Sequence, residues 1–207
     1  QLPFYDNAHV VQPRKERFVE YKGRPMQLNA VVTDPEKEAL IASRSEAKNW
    51  ARADHGKGDI FRLPLIAKLS LLVLIKFATL DPSGMGVLME AGKPGWYDAL
   101  NGLPGLFGSS MPETYELMRL IRFLGESLAE GSKDVSLPVE AQILLTMVRD
   151  TAEMDAGSFA FWDLRMAALE GYRDAVRLGF DGKMLVVDLK PLLERMEEIL
   201  ETGIEKA

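Results

Sequence analysis

Trp96, Tyr97, Asp98 and Asn101 put more usable chemistry into six residues than any other part of this chain. A Trp face can stack on the CH-lined plane of a pyranose ring, with Tyr97 adding a second amphipathic ring. An Asp beside aromatic rings is partly desolvated, which raises its pKa and keeps it protonated. A protonated carboxylic acid at a glycosidic oxygen is what cleavage of that bond needs. An Asn nearby can hydrogen-bond hydroxyls. Aromatic plate, acid and amide therefore suit a carbohydrate. The same residues also have a structural reading: Trp96 in a core, Asp98 capping a short helix from Ala99, and Asn101-Gly102 as an ordinary turn.

These residues lie in a long interruption between helical patterns, positions 84–113. It holds seven of the chain's 17 glycines and three of its 11 prolines. Loops longer than about 12–15 residues are uncommon in compact domains and are usually functional or disordered. Trp, Phe, Leu and Met in this one speak against disorder. Its glycines let the backbone bend sharply and approach a ligand.

The rest of the chain must position that stretch. Residues 1–33 have extended character and suggest an arm or hairpin: Phe18–Tyr21 alternates, Lys22 to Pro25 can turn, and Met26–Val32 alternates loosely. Residues 34–207 read as helical. Asp34-Pro35-Glu36 opens a helix that should end near His55-Gly56. A second, apolar nearly all round, starts at Pro64 and runs to about Leu80. After the loop, Ser110 is a cap, with Pro112 and Glu113 in the first turn and a stripe through Leu117, Ile121, Leu124 and Leu128. Pro138 starts another helix. Ser158 caps one with Trp162, Met166, Leu169 and Val176 inside, ending at Gly179. Met184–Val187 is extended, and Asp188 caps the last helix. The expected fold is all-α: an antiparallel helical array, part of an (α/α) barrel-like domain, with a short extended N-terminal arm.

Composition narrows the function. A net charge of −6 and pI near 5.1 leave no basic footprint for nucleic acid. Cysteine is absent, which excludes disulfides, a thiol nucleophile and Cys-ligated metals, and fits a cytoplasmic protein. Two His without ligand spacing argue against a metal site. Leu63–Leu80 is broken by Lys68, Ser70 and Lys76, so a buried core helix fits it better than a membrane span. The N-terminus has no secretory pattern and no initiator Met, which suggests a processed product or a piece of something longer. The turn His55–Gly58 lacks the glycine spacing and the Ser or Thr of a Walker loop. A plain turn accounts for it, although His55, Lys57, Asp59 and Arg62 form a polar cluster.

The segment Gly95-Trp96-Tyr97-Asp98-Ala99-Leu100-Asn101 resembles the catalytic-acid segment of cellobiose phosphorylase and related inverting disaccharide phosphorylases. That family carries a Gly-Asp-Trp-Asn-Asp-Gly-Met-Asn-like run in a loop of an (α/α)6 barrel. Trp96, Asp98 and Asn101 match in type and spacing; Tyr97 stands where the family has Asn, Gly95 where it often has an acidic residue, and Ala99 and Leu100 replace Gly and Met. Gly108 to Glu113 is similar to the turn that comes next in the family. The resemblance covers roughly residues 54–125.

It implies that Asp98 is the general acid, with Trp96, Tyr97 and Asn101 against the sugar. Inorganic phosphate then attacks the anomeric carbon from the opposite face, as a co-substrate, with no further cofactor. Phosphate ligands are suggested at His55, Lys57, Arg62, Ser109 and Ser110, with the helix start at 110–113 offering free N–H groups. In a hydrolase, Glu90 or Glu113 would serve as base. A full barrel needs twelve helices, about 350 residues or more, against about six main helices here. A second copy, or the remainder of a longer chain, would have to complete it. The alternative is a helical module that binds a glycan or partner without turnover.

Overall fold

The computed structural model describes residues 1–27, 30–88, 109–131 and 134–207. Trp96, Tyr97, Asp98, Asn101 and Glu90 lie outside the described residues. In chain order the elements are β1 (Leu2–Pro3), β2 (His9–Val11), the single turn α1 (Arg14–Arg17), β3 (Phe18–Tyr21), β4 (Arg24–Gln27), β5 (Val31–Thr33), α2 (Pro35–Ser43), β6 (Arg62–Leu63) and α3 (Leu65–Ala78). Then come β7 (Val87–Leu88), β8 (Ser109–Ser110), α4 (Met111–Glu130), β9 (Asp134–Pro138), α5 (Gln142–Asp150), α6 (Phe159–Ala175), β10 (Met184–Asp188) and α7 (Lys190–Lys206).

The all-α expectation is overturned, and the (α/α) barrel-like array with it. The chain is mixed α/β, 53% helix and 19% strand. Its strands pair antiparallel in twos: β1 with β6, β2 with β5, β3 with β4, β7 with β8, and β9 with β10. Each strand is two to five residues long, too short for alternation to register in a sequence window. Most find their partner far along the chain, as Leu2 opposite Leu63 and Val187 opposite Val135. The extended Met184–Val187 stretch that becomes β10 was legible, and so was the local hairpin. Lys22 (φ 52°) and Gly23 (φ 74°) turn it, the two positive-φ positions that a two-residue hairpin needs. Pro25 is tolerated in β4 because β3 is that strand's only partner among the described residues.

Helix α3 is the centre of the core. Its sequence, LIAKLSLLVLIKFA, contains no acid, and Leu71, Val73, Leu74, Phe77 and Ala78 are essentially inaccessible. α4, α5, α6 and β9 pack around it. α4 and α7 pair through their apolar stripes, Leu117, Ile121, Leu124 and Leu128 against Leu192, Met196, Ile199 and Leu200. Each such fully buried side chain is worth roughly 1.5–3 kcal/mol of transfer free energy.

Helix α2 stops at Ser43, about a dozen residues before the expected end. None of its residues is buried, so nothing apolar rewards continuing it. Arg44 organises the loop beyond it. Its guanidinium donates to the Lys48 and Trp50 carbonyls at 2.7 and 3.2 Å and to Asp6 at 2.9 Å. The N-terminal arm is fastened to the far end of the chain. Phe4 packs 5.2 Å from Phe180, the Arg14 amide donates to Glu170, and its guanidinium reaches Asp163 at 2.6 Å.

Candidate functional site

The long interruption is held at both ends by a built stem. α3 ends at Thr79, whose hydroxyl donates to the Lys76 carbonyl at 2.6 Å. The chain turns through Asp81–Gly86, and Leu80 bridges back to Val87. Val87 then pairs with Ser110 and Leu88 with Ser109. The ladder thus joins the residues on either side of 89–108. The Val87 amide also donates to Thr114 Oγ1 at 2.9 Å, and that hydroxyl donates to the Ser110 carbonyl at 2.8 Å. Stem and first turn of α4 are therefore one hydrogen-bonded unit.

Asp81 organises the turn. It is 4% exposed, and every interaction of its carboxylate is with a donor. Oδ1 accepts from the Ser83 and Met85 amides at 2.7 and 3.3 Å, and Oδ2 from the Gly86 amide at 2.9 Å and from the Ser109 hydroxyl. Gly86 must be glycine for space: a Cβ there would lie 2.7 Å from Thr114 Oγ1 and 3.1 Å from Ser109 Cβ.

Arg165 closes the same corner from α6. Wholly buried, it donates to the Leu80 carbonyl at 2.9 Å and the Asp81 carbonyl at 3.2 Å, with longer contacts to Phe77 and Ala78. Phe77 and Ala78 belong to the last turn of α3, and the Leu80 and Asp81 carbonyls follow just past it, where the chain has left the helical ladder. A cation also suits the negative end of the α3 dipole. Burial pulls the Arg165 pKa down to about 9, against the charge of Asp81, so the group stays charged at neutral pH. Beside this corner lies a cleft of about 420 Å³, lined by Asp81, Ser83, Met85, Leu88, Ser109 and Met111 among others.

The suggested phosphate ligands do not form one cradle. Ser109 and Ser110 sit in β8 at the C-terminal end of α3. Arg62 sits in β6, just before α3 begins. His55 and Lys57 lie at the exposed tip of the loop that leads into it, where the His55 amide donates to the Phe180 carbonyl at 2.9 Å. Fourteen helical residues separate the two groups, about 20 Å at 1.5 Å per residue. Ser109 also has its hydroxyl proton committed to Asp81, so toward an anion it would have lone pairs to offer rather than a donor. Ser110 occupies the N-cap position of α4 without a side-chain cap bond. Glu113 is paired with Lys76 at 2.6 Å. Among the described residues, no group of three or more His, Asp or Glu is placed to hold a metal ion. Also among them, no helix is long and apolar enough to cross a membrane.

Asp81 and Arg165 were missed as site-building residues, although each had a signal. Asp81 opens an Asp-Pro-Ser-Gly turn directly before the long interruption. Arg165 occupies an inward position of the stripe Trp162, Met166, Leu169, where a charged residue has to find partners. No protein-family model matches this chain, and a search of curated proteins also finds no match.

Proposed function

We propose that this chain acts on carbohydrate, in the manner of a glycoside phosphorylase, with Asp98 as the general acid. What supports the reading is the resemblance of Trp96, Asp98 and Asn101, together with one structural observation. The segment that carries them is anchored at both ends by a stem tied to a buried Asp81 and Arg165. The stem fixes where the chain leaves the core before Asp98 and where it returns after it. In the proposed reaction Asp98 donates its proton to the glycosidic oxygen as the C–O bond breaks. A phosphate oxygen forms the new bond to the anomeric carbon from the opposite face, inverting it. The products are a sugar 1-phosphate and the freed sugar hydroxyl.

The test follows inorganic phosphate, released from α-glucose 1-phosphate with acceptor sugars or consumed with β-glucosides. Asp98→Asn should lower turnover by a factor of roughly 10²–10⁴, the usual worth of general acid catalysis. Turnover that survives Asp98→Asn refutes the assignment.

A second reading, glycan binding without turnover, is favoured by the 20 Å scale separation of His55, Lys57 and Arg62 from Ser109 and Ser110. It requires saturable sugar binding that Trp96→Ala abolishes, with no phosphate-dependent chemistry under any pairing of donor and acceptor.

A further inference from the structure

The outer face of α3 lines a second cavity, unrelated to the stem. It holds about 480 Å³ and is walled by Leu65, Leu69, Leu72 and Ile75 of α3, by Phe4 of the N-terminal arm, and by Phe180. Leu65 is 57% exposed and Leu72 44%. A helix apolar on all sides is normally covered on all sides, so among the described residues this face lacks an occupant. The distribution of charge and the shape of the cavity identify the occupant's chemistry.

Among the described residues, three ionic side chains line the cavity: Asp6, Lys37 and Lys68. Asp6 is shared, with Oδ1 on Lys37 at 2.9 Å and Oδ2 on Arg44 at 2.9 Å. Its one negative charge is therefore divided between two cations. Lys68 forms no ion pair among the described residues. Its ammonium donates to the Pro3 carbonyl and lies 4.5 Å from the Phe4 ring centroid, and α3 itself has no acid to offer it. An ammonium has three donors, so Lys68 keeps capacity for an anion at the edge of an aliphatic trough.

Shape favours a slender occupant. Leu65 to Ile75 spans about 15 Å along the α3 axis. A 480 Å³ volume over that length makes a trough about 9 Å from wall to wall once the radius of a water molecule, about 1.4 Å, is added on each side, narrower than a helix with side chains at about 10–12 Å. A helix surface such as α3 offers an extended peptide no free backbone ladder to pair with. A sugar would leave most of its hydroxyls without partners against Leu, Ile and Phe.

We infer that this groove binds a single-chain anionic amphiphile, with an aliphatic tail along Leu69, Leu72 and Ile75 and a carboxylate head on Lys68 and Lys37. The site is argued independently of the carbohydrate reading, since none of its described lining residues belongs to the stem. Calorimetric titration of the full chain with octanoate, 1-octanol and octyltrimethylammonium, each below micelle-forming concentration, tests it. The expected result is one saturable site per chain, at least tenfold tighter for octanoate than for octanol and weakest for the cation. Lys68→Gln should reduce octanoate to the affinity of the alcohol, and Leu72→Glu should weaken all three. In the unmodified chain, octanoate should protect Lys68 and Lys37 from amine acetylation mapped by mass spectrometry. That arm needs no variant to fold. Equal binding of acid and alcohol, no saturable heat, or unprotected lysines would overturn the proposal. So would a sedimentation mass that doubles with concentration and returns to monomer in Leu72→Glu, because a second copy would then be the occupant.

Discussion

Two helical glycines should respond to the same substitution with opposite sign. Gly203 lies in α7, where it packs against the root of the stem. An added Cβ would sit 2.1 Å from the Gly84 carbonyl oxygen and 3.2 Å from its carbon. Ordinary contact begins near 3.4 Å, so helix and turn would have to part by more than 1 Å, and the obstacle is backbone rather than a flexible side chain. Gly84 cannot retreat freely. It is held at φ 66°, and the Ala156 carbonyl lies directly behind it, 2.5 Å from where its own Cβ would be. Overpacking of this kind costs roughly 1–3 kcal/mol or more, against a gain of about 1 kcal/mol from alanine's helix propensity. For Gly203→Ala we expect a net loss of about 2 kcal/mol, which for a 207-residue chain is roughly 4–8 °C in Tm. Gly125 in α4 has nothing within 4 Å of its added Cβ. Gly125→Ala should therefore gain about 0.5–1 kcal/mol and raise Tm by roughly 1–4 °C. Paired thermal melts and urea titrations read both. A Gly203→Ala protein as stable as the parent, or a destabilised Gly125→Ala, would refute the packing argument.

Three further outcomes rest on the ion pairs and caps. Asp34 caps α2 through the Glu36 and Lys37 amides and meets Arg177 at 2.6 Å. Burial pushes its carboxyl up, but Arg177 and the two amides together outweigh that and hold it below the usual range. Its contribution is thus present above about pH 4 and fades as pH falls through the lowered folded value. Asp34→Ala should cost about 1–2 kcal/mol at pH 7 and show a shallower loss of stability than the parent between pH 5 and 2, measured by urea unfolding. Arg165→Met should cost about 3 kcal/mol, since it takes the guanidinium donors from the buried Leu80 and Asp81 carbonyls just past α3; a melt within 2 °C of the parent would count against the capping role. Ser109→Ala and Asp81→Asn should be non-additive, with a coupling of about 0.5–3 kcal/mol in a double-mutant cycle, whereas additive losses would mean that the hydroxyl and carboxylate act separately.

Much of the helical framework could be seen in the sequence because it is local. Ser158 caps α6 by accepting from the Phe161 amide at 3.2 Å, and the stripes of α4 and α7 face inward as their spacing implies. The hidden features depend on partners distant in sequence. β9, in Asp-Val-Ser-Leu-Pro, alternates over only five residues and was obscured by the helix start expected at Pro138. Its strand character comes from Met184–Asp188 lying beside it. The end of α2 was misjudged because caps and apolar spacing cannot reveal that the helix has no core to face. Asp98 and its neighbours, singled out by residue type, lie outside the described residues, while the grouping of His55, Lys57 and Arg62 with Ser109 and Ser110 was not legible. Whether polar residues at opposite ends of a 14-residue helix share a pocket is decided by tertiary placement. The stem was invisible for the same reason: two-residue strands have no period.

The attachment of the N-terminal arm has a consequence for the order of events during synthesis. Phe4 packs on Phe180, Arg14 reaches Asp163 and Glu170, and Asp34 meets Arg177. The arm leaves the ribosome well before its anchors, which emerge about 140–175 residues later, on the order of 7–35 s at 5–20 residues per second. Throughout that interval the arm can close only its own pairs, β2 with β5 and β3 with β4, while its docking surface is missing, the condition under which unpaired outer edges recruit neighbours. Contacts this far apart also make chain closure a late and slow step. Nascent-chain crosslinking between Phe4 and Phe180 positions would therefore appear only once Phe180 has cleared the exit tunnel, and a chaperone that holds extended segments would find the arm as its natural client until then.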